Sequence, residues 1–286
     1  GTFATVTLDD PGAGGSLTIR AGAGDDTLDI TGISSLTAGL NLEGGDGADV
    51  LNLGAGTFSS VAFAADIETV NADSATVADF VFDGRPAIAN RITVTRPEAG
   101  KITITDVTDI GTNSITIKDP TSSLTINTGY NAPYTTEYVH LGALGNFSAD
   151  LTINGGSLNK NLDGSDEVVI EGDLILTGHS LAIQAETITV NSNVTVSTSY
   201  LSGQAGDIAF DGYHININSG AKLLAQGTSV DTSGDISLRA VDNNALLTPF
   251  VSVDLTDVDV TIAENAEVRG RDVTIFATAD SRKFLT

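Results

Sequence analysis

Residues 44–52 read GGDGADVLN and place two aspartates, Asp46 and Asp49, among three glycines directly before an apolar pair. A related segment, AGAGDDTLD, occupies residues 21–29. Carboxylate oxygens held by a glycine-rich backbone are the hard donors that calcium prefers. The same residues also suit a plain turn, because glycine accepts positive φ and an aspartate side chain can cap turn amides. From these residues alone, a cation site and a structural turn both stay open.

The elements around these segments are predicted to be short β-strands. A four-residue word, polar–apolar–Thr–apolar, recurs along the chain, and its alternation sends every second side chain towards one core. Glycine, asparagine, aspartate and serine separate the words, as turns require. No segment sustains a helical periodicity, so the chain is predicted to be all-β. The words are SLTI (16–19), RITV (91–94), KITI (101–104), SITI (114–117), SLTI (123–126), DLTI (150–153), TITV (187–190), NVTV (193–196) and DVTI (272–275).

Two longer patterns repeat at the length of one solenoid coil. One is a Gly–Asp–apolar opening, and the other is a companion word with Gly or Asn at its centre. Copies lie 27 residues apart (217 − 190) or 28 apart (234 − 206), which indicates a solenoid of short strands. We therefore predict a parallel β-helix of about eleven coils, with an array of small β-sandwiches as the alternative. The openings lie at 172–174, 206–208 and 234–236, and the companion words are VNSNVTV (190–196), INSGAKL (217–223) and IAENAEV (262–268).

The composition narrows the classes of function. The 286 residues carry 37 acidic and 13 basic side chains, a formal net charge of −24. This charge argues against a nucleic-acid partner, because phosphate binding needs cations, and it favours attraction of divalent cations. The chain has no cysteine, which excludes disulfides and thiol chemistry, and no apolar run approaches the roughly 18 residues of a transmembrane helix. With no methionine and no signal-like start, we expect a processed chain or part of a longer one.

The C-terminal part of the chain resembles a known class of bacterial surface protein. GDIAFDGYHININSGAKLLAQG (206–227), GDISLRA (234–240) and VTIAENAEVRGRDVTIFA (260–277) are similar to repeats of large exoproteins of the filamentous-haemagglutinin type. The resemblance covers about residues 165–286 and implies a secreted, right-handed parallel β-helix on a bacterial cell surface. A weaker likeness to giant surface proteins lies in LTINTG (124–129) and 139–156.

The glycine–aspartate segments resemble the repeats-in-toxin nonapeptide G-G-x-G-x-D-x-U-x, in which U is a large apolar residue. GGDGADVLN fits every defined position, and AGAGDDTLD fits with Ala21 in place of the first glycine. NLDGSDEVV (161–169) is a degraded copy that keeps Gly164 and Asp166. The resemblance implies calcium held by aspartate carboxylates and glycine carbonyls. The ligands it implies are Asp26 and Asp49 with backbone oxygens of Gly22, Gly24, Gly45 and Gly47, and Asp166 as a poorer candidate.

One departure from that family puts the calcium site in doubt. The family's nonapeptides run in tandem, so that each ion is shared between neighbouring coils. Here Asp26 and Asp49 are 23 residues apart (49 − 26), and only a wider coil of that length would stack them. If the register fails, GGDGADVLN is only a turn. We divide the chain into Gly/Asp-rich coils (1–60), irregular coils (61–164) and an exoprotein-like β-helix (165–286), and we expect them to form one continuous solenoid.

Two alternatives to a structural role stay open. Parallel β-helices include polysaccharide lyases and hydrolases, and Asp257 and Asp259 share one face of a predicted strand, where they could act as acid and base. A calcium-dependent module whose loops bind glycans is the other alternative. The tyrosine-rich segment TGYNAPYTTEYVH (128–140) is either an exposed patch that binds a sugar or a partner protein, or packing within a protruding loop. The histidines His140, His179 and His214 show no metal-ligand spacing in sequence.

The interpretation that these observations favour is a non-enzymatic, extracellular β-solenoid on a bacterial cell surface. It would serve as a stalk, an adhesin segment or a subunit of a surface filament or layer, braced by calcium. No amphipathic capping helix is evident at either end, and open sheet edges require a partner. We therefore expect further coils, or other copies of the chain, at the ends, and cell-surface glycans as a further partner.

Overall fold

The computed structural model describes residues 10–64, 66–72, 74–85, 88–109, 111–128, 136–156, 166–242 and 258–279. These residues form strands, numbered here in chain order, and a single described 3-10 turn at Val230–Thr232. Among them no helix is long and apolar enough to span a bilayer.

Three sheets run along the molecule, and strand pairing defines them. Sheet A has the spatial order β1 (Ser16–Ala23), β3 (Ser35–Asp46), β5 (Thr57–Ala64), β7 (Thr76–Asp83), β11 (Ser123–Asn127), β14 (Asp150–Asn154), β17 (Leu181–Gln184), β20 (Ile208–Gly212), β23 (Ile236–Asp242) and β26 (Val273–Ala279). Sheet B has the order β2 (Thr27–Ile30), β4 (Val50–Leu53), β6 (Thr69–Ala72), β10 (Gly111–Lys118), β9 (Lys101–Thr108), β8 (Arg91–Glu98), β12 (Tyr138–Leu141), β15 (Glu167–Ile170), β18 (Thr187–Val190), β21 (His214–Ile217) and β24 (Asp259–Ile262). Sheet C has the order β13 (Gly145–Asn146), β16 (Leu174–Ile175), β19 (Thr195–Ser197), β22 (Lys222–Leu224) and β25 (Glu267–Arg269).

The predicted parallel β-helix is confirmed. Every pair of neighbours in sheet A is parallel, and each coil lays its strand on that of the coil before. The ten strands of sheet A correspond to ten stacked coils, close to the eleven expected from the mean repeat length. All nine polar–apolar–Thr–apolar words contribute to strands.

The core is a stack of aliphatic and phenylalanine side chains between the sheets. Register places Leu124, Leu151, Leu181 and Ile208 one above another, and each is at most 1% exposed. Leu51 of the GGDGADVLN segment is fully buried in the same core. On the outer face, Asn154 donates its side-chain N–H to Asn127 Oδ1 at 2.7 Å, and Asn127 donates to Asp83 at 2.6 Å. These side chains therefore form a hydrogen-bonded ladder from coil to coil.

An antiparallel hairpin interrupts the parallel stack of sheet B. β9 pairs antiparallel with β8 on one side and with β10 on the other, while β10 pairs with β6 and β8 with β12 in parallel. Sheet A has no counterpart, because β7 pairs directly with β11. Sheet B therefore contains two extra strands at this level, a length of about 10 Å at the usual strand spacing. The words RITV, KITI and SITI form the three strands of this insertion.

The cross-section of the solenoid changes after the hairpin. In the described residues the first coils contain strands of sheets A and B only, with successive copies 19–23 residues apart along the column Asp29, Asn52 and Asn71. From β13 onwards each coil adds a strand of sheet C, and the spacing along sheet A from β11 to β23 is 27–30 residues. Longer coils accommodate the third strand and its turn.

The companion words stack on one another in the structure, whereas the Gly–Asp openings do not all stack. The companion words stack in register, since Val190, Ile217 and Ile262 align in sheet B and Val196, Leu223 and Val268 align in sheet C. The Gly–Asp openings do not form one set. Those at 206–208 and 234–236 precede sheet A strands, whereas 172–174 precedes a strand of sheet C. The same word caps two different corners, because any strand start with a free amide suits an aspartate.

Candidate functional site

A column of polar residues lies at the corner where the chain enters sheet B. All members but Asn113 directly precede a sheet B strand, and Asn113 lies within β10, one residue before the Ser114–Thr69 pair. Strand register therefore stacks the members along one corner; we call them the corner column. All five buried carboxylates of the described residues lie in this column or beside it in the hairpin, namely Asp49, Asp106, Glu137, Asp166 and Glu186. The corner column comprises Asp26, Asp49, Glu68, Asn113, Asn90, Glu137, Asp166, Glu186 and Tyr213.

The carboxylates of the corner column cap backbone amides of the coil before. Asp49 Oδ1 accepts the N–H of Asp26 at 2.9 Å, and Glu68 Oε2 accepts the N–H of Asp49 at 2.7 Å. The pattern returns beyond the hairpin, where Asp166 accepts the N–H of Glu137 at 3.2 Å and Glu186 accepts that of Asp166 at 2.8 Å. At a corner the backbone leaves the hydrogen-bond ladder between strands. A side-chain carboxylate there accepts the backbone N–H, which would otherwise be buried without an acceptor.

Asn90 holds the column together at the level of the hairpin. Its side chain is fully buried, its Oδ1 accepts the N–H of Arg85 at 3.0 Å, and its Nδ2 lies 2.8 Å from Glu137 Oε1 and 2.7 Å from the carbonyl of Thr128. An amide can both donate and accept, which a carboxylate cannot. Asn90, which directly precedes β8, therefore connects this strand to Arg85 and to Thr128 and Glu137 of the neighbouring coil.

The environment of Asp49 penalises its charge. The side chain is 1% exposed, and burial raises its pKa, with repulsion from Glu68, Asp26 and Asp66 acting in the same direction and the N–H of Asp26 opposing them. Its Oδ2 is buried without a hydrogen bond from the described residues. That oxygen lies beside Gly44, since a Cβ there would be 2.5 Å from it and 2.7 Å from the carbonyl of Asp66.

The glycines of the two segments pack against one another across the coils. Gly22 aligns with Gly45, and a Cβ on Gly45 would lie 1.7 Å from the Gly22 carbonyl oxygen. A Cβ on Gly47 would lie 2.2 Å from the carbonyl of Gly24. Both later glycines also have positive φ, +106° and +144°. Glycine is required here by close approach of two backbones as well as by conformation.

The structure places the predicted calcium ligands as follows. Asp26 and Asp49 lie on adjacent coils in the register that calcium would need, so that geometric condition is met. Asp166 occupies the equivalent corner several coils further on and is not brought near them. Gly164 and the rest of 161–165 lie outside the described residues.

The donor set fits a calcium cage only in part. Asp49 Oδ1 is already an amide cap, and the carbonyls of Gly22 and Gly24 face the glycines of the next coil. In the described part of the chain, no group of three or more histidine, aspartate or glutamate side chains could hold a metal ion. Asp49 Oδ2 and the Asp26 carboxylate remain as donors, fewer than the six to eight oxygens that calcium takes. Calcium binding stays a prediction.

A pocket of about 470 Å³ opens beside the corner column at the level of the hairpin. Its walls are the turn 45–48 and the hairpin residues Asp106, Thr108, Gly111, Thr112 and Asn113, with Glu68 and Arg85 between them. Arg85 forms an ion pair with Glu68. β9 and β10 lie between β6 and β8 in sheet B, so β8 is displaced along the sheet. The chain segment through Arg85, which leads to β8, therefore leaves part of the corner column uncovered. The pocket lies at this gap.

Asp106 is a buried carboxyl of the pocket whose pKa is raised. It is 2% exposed, and burial raises its pKa to about 6, while the N–H of Arg91 and the charge of Arg85 oppose the shift. A carboxyl with such a pKa changes charge near neutral pH, a property that functional sites share with structural buried acids.

Only Asp259 of the predicted catalytic pair Asp257 and Asp259 lies within the described residues. Asp257 lies outside the described residues. Asp259 accepts hydrogen bonds from Thr261 at 2.7 Å and pairs with His214 Nδ1 at 2.6 Å, and these bonds, His214 first, lower its pKa. Residues 129–135 of the tyrosine-rich segment are also undescribed. His140 and His179 likewise contact carboxylates, Glu171 at 2.8 Å and Asp150 at 3.4 Å.

Sequence reasoning missed the corner column and the pocket. A signal for the column was present, because an acid stands directly before the strand in DTLDI, DVLNL, ETVNA, EYVHL, DEVVI and ETITV. No comparable signal marks the pocket, since Arg85 and Asp106 meet only through the hairpin. Together, the fold and corner define the class of protein, a parallel β-solenoid whose corners are capped by buried carboxylates. No protein-family model, no curated protein and no solved structure matches the chain.

Proposed function

We propose that the protein is a non-enzymatic structural rod of the bacterial cell surface, a stalk, adhesin segment or filament subunit. The observation that supports this most directly is the uninterrupted stacking of ten strands in sheet A, with a buried apolar core and capped corners. Such a stack resists bending because each coil is bonded to its neighbours along the whole axis. The net charge of −24 keeps the surface hydrated and discourages lateral aggregation.

The cellular location of the protein and the shape of the purified chain test this proposal. Immunogold labelling of intact cells should place it on the outer surface, and electron microscopy of the purified chain should show rods about 45–50 Å long, ten strand spacings. Labelling confined to the cell interior would contradict the surface role. A substrate panel of acidic and neutral polysaccharides completes the test, and turnover would support the carbohydrate-active alternative.

Further coils are the partner that the C-terminal end favours. In the described residues, Ile262, Val273 and Ile275 continue core columns but are 39–49% exposed, whereas their counterparts one coil earlier are at most 1% exposed. Three sheet edges, those of β24, β25 and β26, meet at this end. An additional coil of the same three-sheet type would bury these side chains and pair these edges.

Head-to-tail joining of identical copies suits this geometry less well. The first described coil offers only the edges of β1 and β2, so sheet C of one copy would meet no strand in the next. Sedimentation over a wide concentration range should therefore find single rods. Filaments that grow with concentration would show that the ends match despite their different cross-sections.

Calcium bracing at the first coils is a part of the proposal that can be tested by itself. Its support is the stacking of Asp26 on Asp49 and the buried, unbonded Oδ2 of Asp49. Binding to the folded state would raise the melting temperature with calcium concentration. Thermal melts with calcium and with chelator should differ in the wild type and coincide in Asp49→Asn. Identical wild-type melts would leave the segment a plain turn.

A further inference from the structure

The pocket beside the hairpin is larger than a turn or a water site needs. Its volume of about 470 Å³ falls in the range of small-molecule sites and is many times the roughly 30 Å³ of one water. It exists because sheet B carries two strands that sheet A lacks, so it belongs to the insertion and not to the regular coil.

Asp106 supplies a buried polar group that faces this space. It lines the pocket and is 2% exposed. Its Oδ1 accepts the N–H of Arg91 at 3.1 Å, and its Oδ2 takes no hydrogen bond from the described residues. Asp106 lines the pocket, and a carboxylate oxygen without a donor from the described residues can accept one more hydrogen bond, which a ligand with an N–H group can supply.

The balance of charge in the pocket selects a cation. The lining holds three carboxylates, of Asp46, Glu68 and Asp106, and one guanidinium, that of Arg85, which is paired with Glu68. These carboxylates are not grouped closely enough to form a metal site in the described residues. An organic ammonium group, which needs only one carboxylate in contact, suits this spread better than a divalent ion does.

The remaining lining selects hydroxyl groups. Thr108 and Thr112 present hydroxyls, and the turn 45–48 presents backbone polar groups. The described lining contains no aromatic side chain on which a flat apolar ligand could stack. We propose that this pocket binds a small organic ammonium ion that also carries hydroxyl groups, the chemistry of an amino sugar.

Four probes separate the two parts of that chemistry. Glucosamine has the ammonium and the hydroxyls, glucose has only the hydroxyls, putrescine has only ammonium groups, and calcium is the metal alone. Isothermal titration of the whole chain should rank glucosamine first, putrescine second and glucose last, with heat from glucosamine unchanged by chelator. Equal binding of glucose and glucosamine, a chelator-dependent signal, or no glucosamine binding at millimolar concentration would each overturn the proposal.

Variants connect the binding to named side chains. Asp106→Asn should weaken glucosamine at least about tenfold, the loss of one charge-assisted hydrogen bond. Thr112→Val keeps the β-branched shape and should weaken glucosamine but leave putrescine unchanged. The matched control is Asp173→Asn, because Asp173 Oδ1 caps the N–H of Thr195 at 2.7 Å on sheet C, outside the pocket lining. Equal loss in Asp173→Asn would contradict a site at the hairpin, and failure of this proposal leaves the rod intact.

Discussion

The carboxylate of Asp49 accepts the backbone N–H of Asp26, one coil earlier in the stack, at 2.9 Å. The residue that the sequence singled out as a calcium ligand is thus an amide cap in the structure. The same bond recurs between Glu68 and Asp49 and between Glu186 and Asp166. Capping of this kind gives a physical reason for buried acids in a rod whose surface is already strongly negative.

Substitutions at Asp49 should separate its hydrogen bond from its charge. Asp49→Ala leaves the N–H of Asp26 without its acceptor and should lower the free energy of unfolding by about 1–3 kcal/mol. Asp49→Asn keeps an acceptor and removes a buried charge, so its stability should equal or exceed that of the wild type at neutral pH. Urea denaturation measures both. Equal losses in the two variants would mean that the charge itself stabilises the corner.

Gly45 and Gly22 form a matched pair for testing the contact between coils. Both have positive φ, +106° and +111°, but a Cβ on Gly45 would lie 1.7 Å from a carbonyl oxygen, whereas a Cβ on Gly22 meets nothing within 4 Å. Gly22→Ala should cost about 1–3 kcal/mol, the strain of the backbone alone. Gly45→Ala should cost clearly more, because the coils must separate. Thermal melts of the two variants provide the comparison, and similar losses would rule out tight stacking.

Asp106 should make stability depend on pH between its two pKa values. Its pKa of about 6 in the folded chain exceeds the ordinary value of 3.8, so the folded state binds the proton more tightly. This contribution is fully present below about pH 3.8 and is lost as the pH rises through 6, a change of about 3 kcal/mol at most. Asp106→Asn should remove that slope from urea midpoints. Parallel wild-type and variant curves would assign the slope to other groups.

The turn at the start of sheet C requires a left-handed backbone in successive coils. Asn193, Gly220 and Asn265 occupy equivalent positions, with φ of 62°, 71° and 61°. Asn193→Gly should be neutral or stabilising, and Asn193→Ala should lose about 1 kcal/mol, because alanine tolerates this region poorly. Asn191→Ala, in the same turn without positive φ, is the control for losing an amide. A larger loss in the control would point to side-chain bonding instead.

Several features of the fold could be predicted from short words. SLTI and DLTI, with alternate apolar positions, predicted strands that pack in one core, and Leu124 and Leu151 do stack there. The companion words predicted register correctly because each carries its own turn residue at a left-handed position. The Gly–Asp openings did not predict register correctly, because an aspartate can cap the first amide of a strand at either of two different corners.

The hairpin shows why other features could not be predicted. KITI and SITI have the same pattern as words whose strands pair in parallel. Their local sequence therefore does not indicate that β9 pairs antiparallel with β8 and β10. Strand direction is decided by which edges are available and by the length of the connection. The pocket depends on that choice, since Asp106 reaches Arg85 and the turn 45–48 only after β9 and β10 have inserted between β6 and β8.

The sequence by itself determined the class of the fold and the chemistry available at each corner. Period-two alternation, glycine and asparagine at turns and acids before strands are local properties, and each acts within a few residues. The tertiary structure decided the register that stacks Asp49 on Asp26, the change from two sheets to three and the pocket at the hairpin. These depend on contacts between residues 19 to 47 positions apart, whose geometry exists only once the coils have closed on one another.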